Sequence, residues 1–191
     1  MKWLIDTDSP FYNLMNFFAD IIIFGFLFFI CSLPIFTIGT ANCAIYYVVK
    51  KRIADEKATI KDFFIAFKKN FLPSTLIWIV MVILITLIIY LSYINIYLFL
   101  PISIFCILEI MFTFTYFFPI TTKNKFSTKK SIKLSLILAH KHLATTFLCT
   151  LILIITVITC FFYLPLFLIS GGVYNFLTCN LIEKIFSKYN L

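Results

Sequence analysis

Long apolar segments alternate with short lysine-bearing stretches along almost the whole chain. Six such segments can be drawn: Leu14–Leu33, Ile35–Val49, Leu72–Ile94, Ile96–Thr121, His142–Leu164 and Pro165–Ile182. A helix needs about 20 apolar residues, each rising about 1.5 Å, to cross a bilayer. The pattern therefore predicts an all-α, polytopic transmembrane helical bundle in which residues 1–191 form a single integral membrane domain.

The second segment, IFTIGTANCAIYYVV, is shorter than a usual span and follows the first almost directly. Pro34 and Gly39 interrupt the helical pattern between the two. Residues 14–49 therefore form either a helical hairpin of two spans, or one span followed by a helix at the membrane interface. The hairpin gives six spans with both termini in the cytoplasm. The alternative gives five spans with an external N-terminus.

A lysine-bearing pattern recurs 72 positions along the chain, the separation of Lys61 and Lys133. At this offset Ile60 pairs with Ile132, Lys69 with Lys141, and Leu76 with Leu148. The match predicts a parallel internal repeat, with halves near 35–95 and 107–167 oriented alike. Two lysine-rich loops aligned by chance are the alternative. Because the fourth segment is long enough to span, the repeat predicts that its counterpart, the second, spans too.

The stretch from Ile60 to Phe71, named here the first elbow, has the pattern of an amphipathic helix. Phe63, Phe64 and Phe67 recur at helical spacing, and Lys68 and Lys69 lie on the other side. Such a helix is expected to lie flat in the interface, with its lysines on anionic lipid headgroups. The following Pro73 is predicted to begin the next span, as proline does in a first helical turn. A second, more apolar elbow starts at Ile132.

Composition and charge support a membrane protein. The mean hydropathy is +1.05, and only 13% of residues are charged, about half the share in a soluble domain. Lysine and arginine occur only at residues 2, 50–69, 123–141 and 184–188, which is the positive-inside pattern of a multi-pass membrane protein whose lysine clusters face the cytoplasm. This distribution argues against nucleic acid as the partner of the +8 charge. The first segment is expected to be a retained span, since no small-residue cleavage site follows it.

The candidate chemistry is sparse. Asp20 and Glu109 are the two acids inside apolar segments, and Asn42 and Asn175 are amides in predicted helices. A charged acid at the bilayer centre costs at least about 2.5 kcal/mol, so Glu109 is predicted to be neutral or to face water. It is either a proton-linked or substrate-binding carboxyl, or a neutral acid joining two helices. The same alternatives are open for Asp20, whereas amides in spans usually join helices.

The cysteines, histidines and glycines point to packing. All six cysteines lie in apolar segments without a C-x-x-C pair, so reduced, packed thiols are expected. His140 and His142 are two positions apart and diverge on a helix, so no metal site is predicted. Gly39, Gly171 and Gly172 are expected to permit close helix approach or helix breaks.

Several motifs resemble those of the YesL family of bacterial membrane proteins. They are the Ala-Asp pair in the first segment, the turn CSLPIFTIG, the helix YYVVKK and the elbow DFFIAFKKNF. The later stretch YFFPITTKNKFSTKKSIKLSLILAHKHLATT is similar to the second elbow of the family. The resemblance covers nearly the whole chain and is strongest over Ala19–Trp78. One departure is the turn IADEKATI, which lacks the glycine usual there.

The resemblance implies a small polytopic protein of uncharacterised biochemical function. Genes of the family often lie beside carbohydrate uptake systems, so it implies a transporter or an accessory component of saccharide uptake, with sugar transporter components as partners. The alternative is a structural or regulatory membrane subunit without transport activity. A transporter is expected to have a polar cavity at mid-depth that contains Glu109, and a partner subunit to have a dry core. The sequence has no nucleotide loop, nucleophile triad or metal-ligand run, so neither enzyme activity nor a cofactor is expected.

Overall fold

The computed structural model describes residues 10–54, 56–94, 96–123, 127–163, 166 and 168–189. Within these residues all regular structure is helical. The helices are α1 (Pro10–Ser32), α2 (Ile38–Ile53), α3 (Ile60–Ile94), α4 (Ile96–Thr122), α5 (Thr128–Lys141), α6 (Leu143–Phe162) and α7 (Ser170–Lys188). A 3₁₀ turn, Ile35–Thr37, follows α1 and leads into α2. The all-α prediction is confirmed.

Among the described residues, four helices are long and apolar enough to cross a membrane. The qualifying stretches are Met15–Ser32, Ile60–Tyr93, Leu100–Thr122 and Leu143–Cys160. They match the first, third, fourth and fifth segments of the sequence pattern. The second and sixth segments correspond to α2 and α7, which are not among the four. Since α2 has 16 residues, it is about 24 Å long, less than the roughly 30 Å of a hydrocarbon core. The six-span count stays a prediction.

Helix α2 lies at the centre of the bundle. It packs against α1, α3, α4 and α7, and the side chains of Ala44, Ile45, Val48 and Val49 are fully buried. This burial favours a helix inside the bundle over the alternative in which residues 37–52 lie on the inner membrane surface. The outward sides of the apolar helices carry exposed large hydrophobic side chains instead: Leu72, Ile83, Phe147 and Ile155 are examples. Apolar residues on the outside of a bundle are expected where lipid, not water, is the solvent.

Helix α3 corrects the predicted first elbow. The prediction placed a helix boundary at Pro73, and this is wrong, because one helix of 35 residues runs through Pro73. A proline inside a helix removes a single backbone hydrogen bond. The residues just beyond it pack on Gly39 of α2 and on the 3₁₀ turn before α2, where Trp78 Nε1 donates to the carbonyl of Ile35 at 2.7 Å. At about 1.5 Å per residue α3 is about 50 Å long and extends well past one bilayer core.

The side chains of the first elbow divide between the core and the surface. Phe63 is fully buried and stacks on the half-buried Phe67 with ring centroids 6.4 Å apart, whereas Phe64 is 42% exposed. Lys68 and Lys69 are exposed. The elbow helix is thus packed into the bundle along one side and does not only rest on its surface.

The start of α3 is fixed by a local cap. The Thr59 amide and hydroxyl both donate to Asp62 Oδ2, and the Asp62 amide donates back to Thr59 Oγ1. This reciprocal arrangement satisfies amide groups that have no partner inside the helix. Lys51 Nζ lies 3.2 Å from Asp62 Oδ1 and connects the end of α2 to the start of α3.

The second elbow does contain a helix break. His142, with φ −121° and ψ 50°, separates α5 from α6. Its Nε2 lies 3.0 Å from the Tyr189 hydroxyl, which connects the break to the end of α7. Helix α5 packs lengthwise on α4. The two elbows therefore differ in backbone conformation, because only the second ends in a helix break. Each packs against the helix that precedes it, α3 on α2 and α5 on α4.

Two glycines permit close helix contacts, as the sequence predicted. A Cβ on Gly39 would lie 2.8 Å from both the Ser74 carbonyl oxygen and the Trp78 side chain on α3. A Cβ on Gly172 would lie 2.6 Å from the backbone oxygen of Ile21 on α1. Both distances are shorter than van der Waals contact, so only glycine fits without moving a neighbouring helix.

Candidate functional site

Polar contacts from three helices meet at Glu183 on α7. Its Oε1 accepts a hydrogen bond from the Tyr46 hydroxyl at 2.8 Å and lies 3.3 Å from Lys50 Nζ. Its Oε2 lies 3.4 Å from Lys123 Nζ, just beyond the end of α4. One carboxylate therefore connects α2, α4 and α7. We name Tyr46, Lys50, Lys123 and Glu183 the Glu183 cluster.

Burial is uneven within this cluster. The Lys123 side chain is 8% exposed, whereas those of Lys50 and Glu183 are 38% and 27% exposed. Desolvation lowers the pKa of Lys123 to about 8, although the nearby Glu183 carboxylate opposes this shift. The Lys123 ammonium also lies 4.1 Å from the centre of the Phe186 ring, a contact that favours the charged form.

The sequence did not identify Glu183 as a functional candidate. It lies after the sixth apolar segment, in a stretch that reads as an ordinary amphipathic end. The one available signal was that Glu183 is the only acid C-terminal to Glu109. Its partners are far away along the chain, and a single sequence gives no sign of those contacts.

Asp20 has a partner. Arg52, the only arginine of the chain, forms an ion pair with it through Nε, and the two side chains are 24% and 30% exposed. The pair connects α1 to the end of α2. The charge of Arg52 compensates that of Asp20 where α1 meets the end of α2. This placement favours the role of Asp20 in joining helices over a role as a functional carboxyl, the two roles that the sequence left open.

Glu109 has a titratable neighbour. Its apolar segment contains no lysine or arginine, but His140 Nε2 of α5 lies 3.2 Å from Glu109 Oε2 and forms an ion pair with it when protonated. The other ring nitrogen of His140 lies 2.9 Å from the Leu136 carbonyl oxygen. The pKa of His140 is raised, first by this backbone contact and then by the Glu109 carboxylate. The pair fastens the end of α5 to the middle of α4.

Asn42 and Asn175 are brought together. Asn175 Nδ2 donates to Asn42 Oδ1 at 3.0 Å, so the two amides join α2 to α7. Sequence reasoning selected both residues but could not pair them. Both line a central cavity of about 390 Å³.

The cavity wall is mostly apolar. Its lining includes Trp78, Met81, Ile110, Met111, Phe114 and Leu153, and residues from α1, α2, α3, α4, α6 and α7 contribute. The side chains that line it include no Asp, Glu, Lys, Arg or His. Glu109 and Asp20 are outside it, so the structure does not unite the four residues selected from the sequence. Tyr46 closes the inner end and connects the cavity to the Glu183 cluster.

The cysteines are free thiols, and the described residues form no metal-binding group. All six cysteines are free, and Cys43, Cys149 and Cys179 are buried. The described part of the chain contains no group of three or more His, Cys, Asp or Glu side chains arranged to hold a metal ion. Two further features of the sequence, the amide Asn95 between the third and fourth apolar segments and the junction of the fifth and sixth segments at residues 164–165, lie outside the described residues.

Comparison with known proteins gives one match. Residues 21–96, which cover the second half of α1 and all of α2 and α3, match a family described as a protein of unknown function, DUF624. This stretch contains the Asn42 amide, Arg52 and the first elbow. No curated protein and no solved structure matches the chain. The chain thus carries, over residues 21–96, the pattern of an uncharacterised family, which is consistent with its resemblance to YesL-type proteins.

Proposed function

We propose that this chain is a six-span protein of the bacterial cytoplasmic membrane that acts as an accessory component of carbohydrate uptake. In this proposal it contacts sugar transporter components within the bilayer, and its lysines contact anionic lipid headgroups. It neither catalyses a reaction nor holds a cofactor, and nucleic acid is not a partner. The sugar itself crosses the membrane through the partner.

The proposed topology is supported by the location of the charged residues. Arg52, Lys50, Lys123 and Glu183 gather at one end of the bundle, which the positive-inside rule assigns to the cytoplasm. The burial of α2 among apolar helices supports its role as a span, despite its length. Reporter fusions at both termini test the topology. Cytoplasmic signals at both ends are expected, and an external N-terminus would remove the six-span proposal.

The proposed parallel repeat is supported by two helix-to-helix contacts. Cys43 Sγ lies 3.1 Å from Ser74 Oγ, between α2 and α3. In the second half, Thr146 Oγ1 donates to the Tyr116 hydroxyl at 3.3 Å, between α6 and α4. Thr146 is the counterpart of Ser74 at the offset of 72, and Tyr116 comes one residue after the counterpart of Cys43. Nearly equivalent positions therefore meet in both halves.

The main support for the accessory role is the apolar lining of the central cavity. A sugar has several hydroxyl groups, and each one buried without a partner costs about 1–3 kcal/mol. The cavity offers the amides of Asn42 and Asn175 and a few hydroxyls among mainly aliphatic and aromatic side chains. The carboxyl expected in a transport pathway, Glu109, contacts His140 instead. Such an interior favours a subunit that assists transport over a pore or carrier for sugar.

A transporter remains the second candidate, because the cavity contains the Asn42–Asn175 amide pair at the interface of two helices. Amides that bridge helices beside a cavity are also a feature of solute sites. A test must therefore separate uptake by the whole cell from flux through this chain alone.

Two assays with the same radiolabelled sugar make this separation. In cells, deletion of the gene is expected to reduce uptake by the partner system, and the intact gene to restore it. In proteoliposomes that contain only this protein, no sugar counterflow is expected. Counterflow above that of empty liposomes would establish the transporter and overturn the accessory role. Unchanged uptake in the deletion strain would remove the carbohydrate assignment.

A further inference from the structure

The central cavity is elongated along the helix axes. Its lining runs from Ile107 to Pro119 on α4 and from Ser170 to Ile182 on α7. Twelve residues on a helix correspond to about 18 Å. A volume of about 390 Å³ lies within the range of small-molecule sites, which is about 300–1,000 Å³. This shape suits an extended chain better than a compact polar ring.

Most hydroxyl groups along the cavity already donate within the protein. Thr150 and Thr156 donate to carbonyl groups one turn earlier on α6, and Thr178 does so on α7. The Tyr46 hydroxyl donates to Glu183. These groups have little donor capacity left for a ligand, so they do not make the wall strongly polar.

The amide pair is different, because it has unused capacity. Asn175 Nδ2 donates both to Asn42 Oδ1 and to the Gly171 carbonyl at 2.9 Å. Within the described part of the chain, Asn42 Nδ2 donates to no protein atom, and Asn175 Oδ1 accepts from none. Asn175 is 3% exposed and lines the cavity. One donor and one acceptor are therefore available side by side.

The electrostatics of the cavity favour a neutral ligand. Among the described residues that line it, no side chain is charged, and the Glu183 carboxylate, which accepts from Tyr46, is paired with Lys50 and Lys123. A charged head group would lose its hydration at this depth without a counter-charge, which is costly. An uncharged hydroxyl, carbonyl or amide would lose less and could bond to both asparagines.

We propose that the central cavity binds a neutral, single-chain amphiphile, with its uncharged head group on Asn42 and Asn175 and its apolar chain along Met111 and Leu153. The bilayer supplies this ligand. The cavity is partly open, and the outside of α3 and α6 carries exposed aliphatic side chains over which an apolar chain can move. This site is independent of the role in carbohydrate uptake and can exist whether or not that role holds.

Photo-cross-linking of the full chain in lipid nanodiscs tests the site. The probe is a monoacylglycerol with a diazirine in its acyl chain, and the labelled residues are mapped by peptide mass spectrometry. Competition by unlabelled monoacylglycerol is measured in the same samples. Labels on cavity residues of α4 and α6 that unlabelled monoacylglycerol removes are expected. Labels confined to outward-facing residues would show annular lipid only and overturn the proposal.

Three variants give the test its controls. Leu153→Trp fills the cavity, whereas Ile154→Trp adds the same bulk at the next residue, which is 43% exposed and does not line it. Asn42→Leu removes the free donor while Asn175 keeps its bond to Gly171. Leu153→Trp and Asn42→Leu are each expected to reduce cavity labelling about tenfold, and Ile154→Trp to leave it unchanged.

A fatty-acid probe with the same diazirine chain tests the preference for a neutral head group. At neutral pH its carboxylate is expected to reduce labelling at the cavity residues. Equal labelling in all variants, or equal labelling by the two probes, would contradict the proposal. The melting temperature of each variant is measured in parallel, and Asn42→Leu provides an independent result if Leu153→Trp does not fold.

Discussion

Replacing Glu183 by glutamine should destabilise the bundle far more than replacing a glutamate outside it. Glu183→Gln keeps the size of the side chain and an oxygen that can accept from Tyr46, but removes the charge opposite Lys50 and Lys123. Glu56→Gln is the matched control. Glu56 is exposed, and its side chain forms no ion pair among the described residues.

The magnitude follows from the exposure of each pair. The contact with Lys50 joins side chains 38% and 27% exposed, so its loss costs at most about 1 kcal/mol. The loss of the Lys123 contact leaves an ammonium that is 8% exposed without its carboxylate. This costs about 2–3 kcal/mol, below the 3–5 kcal/mol of a fully buried pair, because Glu183 keeps some contact with solvent. Glu183→Gln should therefore lose about 2–4 kcal/mol, and Glu56→Gln less than about 0.5 kcal/mol.

Unfolding can be followed in mild detergent with a thiol-reactive fluorophore, because Cys43, Cys149 and Cys179 are buried and react only on unfolding. For a chain of this size the loss corresponds to a melting temperature lower by about 5–15 °C. Adding Lys123→Met to Glu183→Gln removes the ammonium that has lost the Glu183 carboxylate, and should recover part of this decrease. Equal melting temperatures for Glu183→Gln and Glu56→Gln, or no recovery in the double variant, would refute the reasoning.

The loss of stability caused by Glu183→Gln should also depend on pH. The pKa of Lys123, about 8 in the folded protein, is below its unfolded value of about 10.5. Between these values the unfolded chain binds more protons, so folding becomes more favourable as the pH rises. Without Glu183 the pKa falls further, and Lys123 loses its charge at lower pH. The difference between wild type and Glu183→Gln should therefore be largest below the lowered pKa of Lys123 in the variant, shrink as the pH rises toward 8, and change little above pH 8.

Three further predictions concern packing and the second elbow. Glu109→Gln should lower the pKa of His140, which a histidine NMR titration measures. The folded pKa of His140 is raised, so protonated His140 stabilises the fold. This stabilisation should be present below about pH 6.5 and disappear as the pH rises through the folded pKa. An unchanged pKa would mean that the ion pair does not form. Phe63→Ala should cost about 3–5 kcal/mol because Phe63 is fully buried, whereas Phe64→Ala, on a side chain 42% exposed, should cost clearly less in the same unfolding assay; equal losses would contradict the packing of α3. Gly172→Ala should cost about 1–3 kcal/mol, since its methyl group would meet the α1 backbone, and a stabilising effect would exclude that contact.

The sequence predicted the elements better than their junctions. Apolar periodicity was sufficient for α1, α4 and α6, because lipid requires a long run of apolar residues in each. Proline chemistry alone could not decide whether Pro73 starts a helix or lies within one. That outcome depends on the packing of Trp78 and Ser74 against Gly39, which are distant in sequence.

The candidate site was predictable only as separate residues. Asn42 and Asn175 stood out because amides are rare in apolar helices, and they meet in the structure. Glu109 stood out on the same energetic grounds, but its partner lies in the second elbow, whose position beside α4 no pattern revealed. Glu183 was missed because it lies in a stretch that reads as the amphipathic end of a helix. Its importance comes from its contact with the buried side chain of Lys123, which is distant in sequence.

Whether water reaches the central cavity tests the proposed accessory role most directly. A cysteine at Leu153 is treated in intact membranes with a charged thiol reagent and with an apolar maleimide, and modification at that residue is quantified by peptide mass spectrometry. A cysteine at the exposed loop residue Lys57 serves as the accessible reference. The account predicts that the apolar maleimide modifies Leu153→Cys while the charged reagent does not, from either side of the membrane. Modification by the charged reagent at the rate of the reference site, with protection by sugar, would show an aqueous solute pathway and contradict the account.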